Sequence, residues 1–174
     1  GNANYGTRSI ESAFAVSSNT GFAELCTEID PDKVADMAHK CGIESDLESV
    51  PSITLGVEEV SVLEMAQAYA TIANGGTLHK ANCIEEIKDS SGQVIYHADT
   101  RGDKVLNTDL TQAAVEVMEG VVQKGTGRNA ALYNGQPVGG KTGTSEDYRD
   151  KWFCGITPQI SVAIWIGDRN EKSM

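Results

Sequence analysis

The chain has 174 residues, 40% of them apolar and 18 of them glycine, enough for one domain with a sizeable core and unlike the composition of a disordered segment. Its net charge of −11, with nine lysines and five arginines scattered singly, excludes the basic surface that a nucleic-acid partner needs. The longest strongly apolar stretch, residues 160–167, is too short to span a bilayer, and no basic-then-apolar leader opens the chain, so an export or anchoring segment is expected only outside these residues.

In chain order, Ser9 is placed to cap a helix over residues 10–16, with Ile10, Ala13 and Phe14 on one face. Ser17-Ser18-Asn19 falls at that helix's end, and a second helix is predicted over 21–29. Asp30 before Pro31 reads as the start of a third, running to about Lys40 and stopping at Gly42. Residues 44–59 are rich in turn formers. Ser61 and Glu64 then form a capping-box pattern ahead of a helix whose apolar face is Val62, Met65, Ala66, Tyr69 and Ala73. A hairpin follows, strands 83–88 and 93–97 around the turn Asp89-Ser90-Ser91-Gly92. Another amphipathic helix is predicted over 109–123, using Leu110, Ala114, Val117, Met118 and Val121 and ending at Gly125-Thr126-Gly127. The last third reads as strands 137–144, 151–157 and 160–167.

Cys26, Cys41, Cys83 and Cys154 show no Cys-x-x-Cys and no regular spacing to the three histidines, so no metal site is expected. Each falls in an apolar pattern and is expected as a small buried hydrophobe. A Cys26–Cys41 disulfide stays open if the chain is exported, because two antiparallel helices can bring the pair together.

The chemistry concentrates in Lys141-Thr142-Gly143-Thr144. A lysine, two hydroxyls and a glycine on one strand edge make a cationic, hydrogen-bonding rail for a carboxylate-bearing substrate, with Gly143 letting a ligand approach the backbone. Alone, the tetrapeptide also reads as an exposed turn. Gly125-Thr126-Gly127 lacks the Gly-Lys-Ser/Thr of a phosphate loop and reads as a turn. Trp152, Phe153 and Trp165 read as sheet packing.

Ser17-x-Asn19 together with Lys141-Thr142-Gly143 matches two of the three motifs of the penicillin-recognising serine enzymes. Further segments agree in order: Asn4-Tyr5-Gly6, Pro31-Asp32-Lys33-Val34, Leu55-Gly56-Val57-Glu58-Glu59-Val60, Leu63-Glu64-Met65-Ala66-Gln67-Ala68-Tyr69-Ala70 and Ala73-Asn74-Gly75-Gly76. Gly125-Thr126-Gly127, Asp150-Lys151-Trp152-Phe153, Gly155-Ile156-Thr157-Pro158 and Trp165-Ile166-Gly167 complete the set. With these segments the chain resembles the carboxy-terminal portion of the transpeptidase domain of class A (bifunctional) penicillin-binding proteins.

That resemblance implies an α+β fold of the β-lactamase/transpeptidase kind. An antiparallel sheet (about residues 135–168) and a helical subdomain (about 1–125) would flank a cleft, with the amino-terminal strands and nucleophile helix missing from this chain. It implies an exported, membrane-anchored enzyme on the extracytoplasmic face of the bacterial cytoplasmic membrane, touching the membrane only through segments outside these residues. That enzyme would need no cofactor, cross-link peptidoglycan stem peptides ending in D-Ala-D-Ala through a serine acyl-enzyme, and be trapped by β-lactams.

Carried over by position, Ser17 resembles the proton-relay serine, Asn19 the residue that orients the substrate amide, and Lys141 the cation that hydrogen-bonds Ser17 and attracts the terminal carboxylate. Thr142 and Thr144 resemble its hydrogen-bond donors, Gly143 lies between them in the substrate-binding strand, and the Thr144 backbone N–H resembles one oxyanion-hole donor.

The third motif, Ser-x-x-Lys, is absent. Residues three before the lysines are Asp30, Met37, Thr77, Glu85, Arg101, Val121, Val138, Tyr148 and Arg169, none of them serine. The nucleophile is therefore expected upstream of Gly1, the chain reads as cut at both ends, and the fragment alone is expected to be inactive. Two other readings stay open, a non-catalytic binding or scaffold module of the same fold and a D,D-carboxypeptidase or β-lactamase of the same superfamily.

Overall fold

The computed structural model describes residues 6–170, 172 and 173; the Asn4-Tyr5 pair of the first matching segment lies outside them. Three helices come first: α1 (Ile10–Ala15), α2 (Asn19–Ile29) and α3 (Pro31–Cys41). Ser9 caps α1 by accepting from the Ser12 N–H, and Asp30 caps α3 by accepting from the Asp32 N–H, 3.1 Å away. Helix α2 begins at Asn19, two residues before its predicted start. Asparagine and threonine are weak in helix interiors, but a first turn needs no intrahelical N–H partner and accepts them.

Helix α4 (Val62–Ala73) follows, then β1 (Thr77–Leu78), the hairpin β2 (Glu86–Lys88) and β3 (Val94–His97), β4 (Asp103–Lys104), and α5 (Thr108–Lys124). β1 pairs antiparallel with β4, a two-residue match that sequence reading did not find. The chain ends in an antiparallel sheet in the order β5-β6-β7: β5 (Gly139–Thr144), β6 (Asp150–Ile156) and β7 (Ser161–Gly167). Lys141 lies opposite Cys154, and Trp152 opposite Trp165.

Helix α4 is packed on two sides. Ala68 joins Cys41, Ile43 and Leu106 in a buried cluster towards α3. On the other side α4 meets β7, where the Ser161 hydroxyl donates to the Ala66 carbonyl at 2.8 Å. Burial there, with Cys154 close by, pushes the Tyr69 hydroxyl well above its ordinary pKa. Val62, predicted on the apolar face, is exposed at the helix start.

Helix α5 packs on β5 and α1 through Met118, Val121 and Val122. Leu110 is a correction, since it is 53% exposed while Thr111 is buried in its place. Threonine is tolerated there because its hydroxyl donates to the Thr108 carbonyl at 2.8 Å, leaving only its methyl to the core. Cys83 is a second correction: it is exposed beside the hairpin, whereas Cys26, Cys41 and Cys154 are buried. All four are free thiols, so Cys26 and Cys41 are not joined. On β7, Val162, Ile164 and Ile166 share one exposed face, and the alternate residues Ala163 and Trp165 share the face of buried Cys154. Trp165 also donates from Nε1 to Asp150 Oδ1 at 2.8 Å.

The capping box at α4 does more than start a helix. The Glu64 carboxylate accepts from the Ser61 N–H (2.8 Å) and also from the N–H groups of Glu44 (2.8 Å) and Ser45 (2.7 Å). It thereby ties the turn after α3 to α4. Ser61, through its side chain and then its backbone, together with these further donors holds the Glu64 carboxyl at about 2, far below its ordinary 4.5. A depressed folded-state pKa stabilises the fold above the unfolded value and loses that stabilisation as pH falls from about 4.5 towards 2. Because solvent reaches this group, the contribution is about 1–2 kcal/mol and not the full shift. Glu64→Gln is expected to lower stability by that amount at pH 7 and to flatten the acid limb. Urea unfolding of both forms at pH 7 and pH 3 checks it; equal wild-type and variant midpoints at pH 7 would count against the tie.

Candidate active site

The site begins with the way α1 stops. The Ser17 N–H donates to the Phe14 carbonyl (3.0 Å) and the Ser18 N–H to the Ala13 carbonyl (2.9 Å), the double closure that normally places glycine in the left-handed region. Here that position is Ser17, with φ at 57°. A serine in this conformation costs on the order of 1 kcal/mol relative to glycine. The turn lifts the Ser17 side chain out of α1, and Ser18 immediately starts α2, so Asn19 stands exposed in the first turn of the next helix. Phe14 and Phe22 brace this elbow edge to face, with centroids 5.7 Å apart.

Across from it runs β5, an edge strand whose other side faces β6. Lys141 Nζ donates to Ser17 Oγ at 2.8 Å, joining residues 124 apart in sequence, and also donates to the Thr142 carbonyl at 2.8 Å. The ammonium lies 5.8 Å from the Phe14 ring centroid, within cation–π range. Partial burial lowers the Lys141 pKa from 10.5, because desolvation penalises the charged form.

Thr142 is half-buried, and its hydroxyl meets that of Thr126 at 2.6 Å. Gly143 packs closely on the neighbouring strand: a Cβ there would stand 3.1 Å from the Trp152 Cβ, a tight contact. Thr144 ends the strand, exposed. Among the described residues Asn19 and Thr144 make no side-chain hydrogen bond, whereas Ser17, Lys141 and Thr142 form one connected set. Among them, too, no three His, Cys, Asp or Glu side chains converge as a metal site requires.

Sequence reading passed over Thr126. Its N–H donates to the Ala15 carbonyl at 3.0 Å, and a Cβ on Gly125 would collide with that same carbonyl. The flanking glycines were the available signal, marking a close backbone approach as well as a turn.

The Lys141–Ser17 hydrogen bond thus sets the turn after α1 against the Lys-Thr-Gly-Thr strand edge. The penicillin binding protein transpeptidase domain matches residues 2–173. The chain belongs to this family. Penicillin-binding protein 1A of Aquifex aeolicus (strain VF5) is 34% identical over 170 residues, 98% of this chain and 23% of the relative. Penicillin-binding protein 1A of Clostridium botulinum (strain Hall) is 34% identical over 176 residues, 98% of this chain and 21% of the relative. Among solved structures, the PonA1 protein from Mycobacterium tuberculosis in complex with penicillin V superposes with a TM-score of 0.89 at 29% identity, covering 99% of this chain and 51% of that one. The D,D-transpeptidase domain of a peptidoglycan glycosyltransferase from Eggerthella lenta gives 0.79 at 28%, covering 95% and 50%. The chain thus spans less than a quarter of these curated relatives and about half of these two solved structures. The family's incomplete α+β fold, implied by the ordered segments, is the fold observed.

Proposed function

We propose that this chain is the part of a serine-type D,D-transpeptidase that supplies the proton relay and the carboxylate-binding strand. The longer protein, at the extracytoplasmic face of a bacterial membrane, would cross-link peptidoglycan stem peptides ending in D-Ala-D-Ala and be acylated by β-lactams. The helical part over residues 1–125 and the sheet part over 135–168 would be the two walls of its groove. The observation that carries this reading is the 2.8 Å contact from Lys141 Nζ to Ser17 Oγ.

Serine alone is a poor acid or base near neutral pH. A hydroxyl that accepts from an ammonium is a better proton donor, and Ser17 in that setting passes a proton to the leaving nitrogen when an acyl-enzyme forms. Lys141 sets a positive potential at the groove in a chain whose net charge is −11, which favours an anionic substrate terminus. Thr142 and Thr144 donate to that carboxylate in charge-assisted hydrogen bonds. Asn19 offers both a donor and an acceptor to the substrate's backbone amide. The Thr144 N–H supplies one oxyanion contact, and such a donor contributes about 3 kcal/mol to the transition state in other serine hydrolases.

Ser17→Gly in the longer protein tests the relay, since it removes the hydroxyl and relieves the left-handed strain. Cross-linking of a D-Ala-D-Ala stem peptide is expected to fall by about 100-fold or more. Thermal stability is expected to stay within a few degrees of wild type, because strain relief offsets the lost hydrogen bond and the flexibility of glycine. Cross-link formation and D-alanine release by chromatography, with a melting curve, report both. Undiminished cross-linking by the variant would remove Ser17 from the mechanism. Wild type that cross-links nothing and takes up no penicillin would favour a scaffold role.

A further inference from the structure

We infer that Thr126 is a positioning residue for carboxylate capture, holding the Thr142 hydroxyl so that it donates into the groove. The inference rests on the proposed function and adds a group outside the two matched motifs.

The geometry is a closed circuit. Ser17 accepts from Lys141, Lys141 adjoins Thr142, the Thr142 hydroxyl meets Thr126 at 2.6 Å, and the Thr126 N–H returns to the Ala15 carbonyl two residues before Ser17. The Thr126 backbone is itself fixed. The N–H groups of Gly125 and Gly127 both donate to the Val121 carbonyl, at 3.0 and 3.1 Å, and Gly127 is buried. The side chain of Thr126 therefore starts from a rigid turn.

Counting protons gives the consequence. Two hydroxyls carry two hydrogens, and their mutual bond consumes one. The role assigned to Thr126 makes it the donor of the pair: its hydrogen goes to the Thr142 oxygen, and the Thr142 hydrogen remains, directed away from the shared bond. A carboxylate only accepts, so it needs that hydrogen aimed at it. Without Thr126 the Thr142 hydroxyl rotates among its staggered positions and can present lone pairs to the incoming anion.

The test uses the longer protein and the second-order acylation rate constants of benzylpenicillin and its methyl ester, which lacks the anionic carboxylate. Thr126→Val keeps the shape and removes the hydroxyl. It is expected to lower the ratio of the free acid's rate constant to the ester's by roughly 10-fold, and Thr126→Ser is expected to restore it. If the valine variant does not fold, Thr126→Ala is compared with Thr126→Ser in the same way. Equal slowing of both compounds would make Thr126 a purely structural tie and overturn the inference, as would an unchanged ratio. Wild type that is not acylated by benzylpenicillin would overturn the functional reading itself, a separate and distinguishable failure.

Discussion

Replacing Lys141 with methionine in the longer protein is expected to slow acylation by benzylpenicillin by about 100-fold or more. Methionine keeps an unbranched chain of similar length against Phe14, so the packing is largely preserved while the charge is lost. The change removes the donor to Ser17 Oγ and the donor to the Thr142 carbonyl together. It also removes the positive charge proposed to draw in a carboxylate. Stopped-flow acylation rates with a melting curve check this, and a rate within a few fold of wild type in a folded variant would refute the lysine's role. The pH profile supplies an independent mark. Burial lowers the Lys141 pKa from 10.5, so its charge is lost at lower pH than that of an exposed lysine. Acylation by the longer protein is expected to decline on the alkaline side below pH 10.5, and Lys141→Arg, which does not titrate there, is expected to lose that decline.

The 174-residue chain by itself is expected to form no stable covalent adduct with penicillin, whereas the longer protein is expected to gain the mass of one penicillin. No lysine in the chain has a serine three residues before it. The nearest approach to that spacing is Thr77 and Lys80. Thr77 lies on β1 opposite Lys104, and Lys80 faces Glu44 at 3.7 Å, so the two do not form a nucleophile and its base. Removing the nucleophile from a group of residues that act together removes most of the rate enhancement, whatever the rest of the groove retains. Intact-mass spectrometry after incubation with benzylpenicillin decides it. A stoichiometric shift on the 174-residue chain would show that some other side chain is acylated.

Sequence reading succeeded where a few residue types dictate local geometry. Ser61 and Glu64 announced α4 because a capping box needs that spacing, and Asp30-Pro31 announced α3 for a similar reason. The three closing strands were visible through Ile, Val and Trp between turns. What stayed hidden depends on distant partners. The β1–β4 pair has two residues on each side and too little pattern to register. Asn19 belongs to α2 because a first turn tolerates it, which propensity alone does not reveal. Thr111 replaced Leu110 in the core through a hydrogen bond to the turn before it. Ser17 and Lys141 were legible as motif members, and the resemblance implied the hydrogen bond between them; residue patterns alone could not supply it, since it spans 124 positions. Thr126 was least legible of all, its proposed role resting on one hydroxyl contact to Thr142, 16 residues away.

In water, the bare row of Val162, Ile164 and Ile166 makes the detached polypeptide adhesive. It is expected to brighten hydrophobic dyes, cling to chromatography resins and come out of solution early in ammonium sulfate, since excluded salts favour covering such surface. A little non-ionic detergent would keep it dispersed.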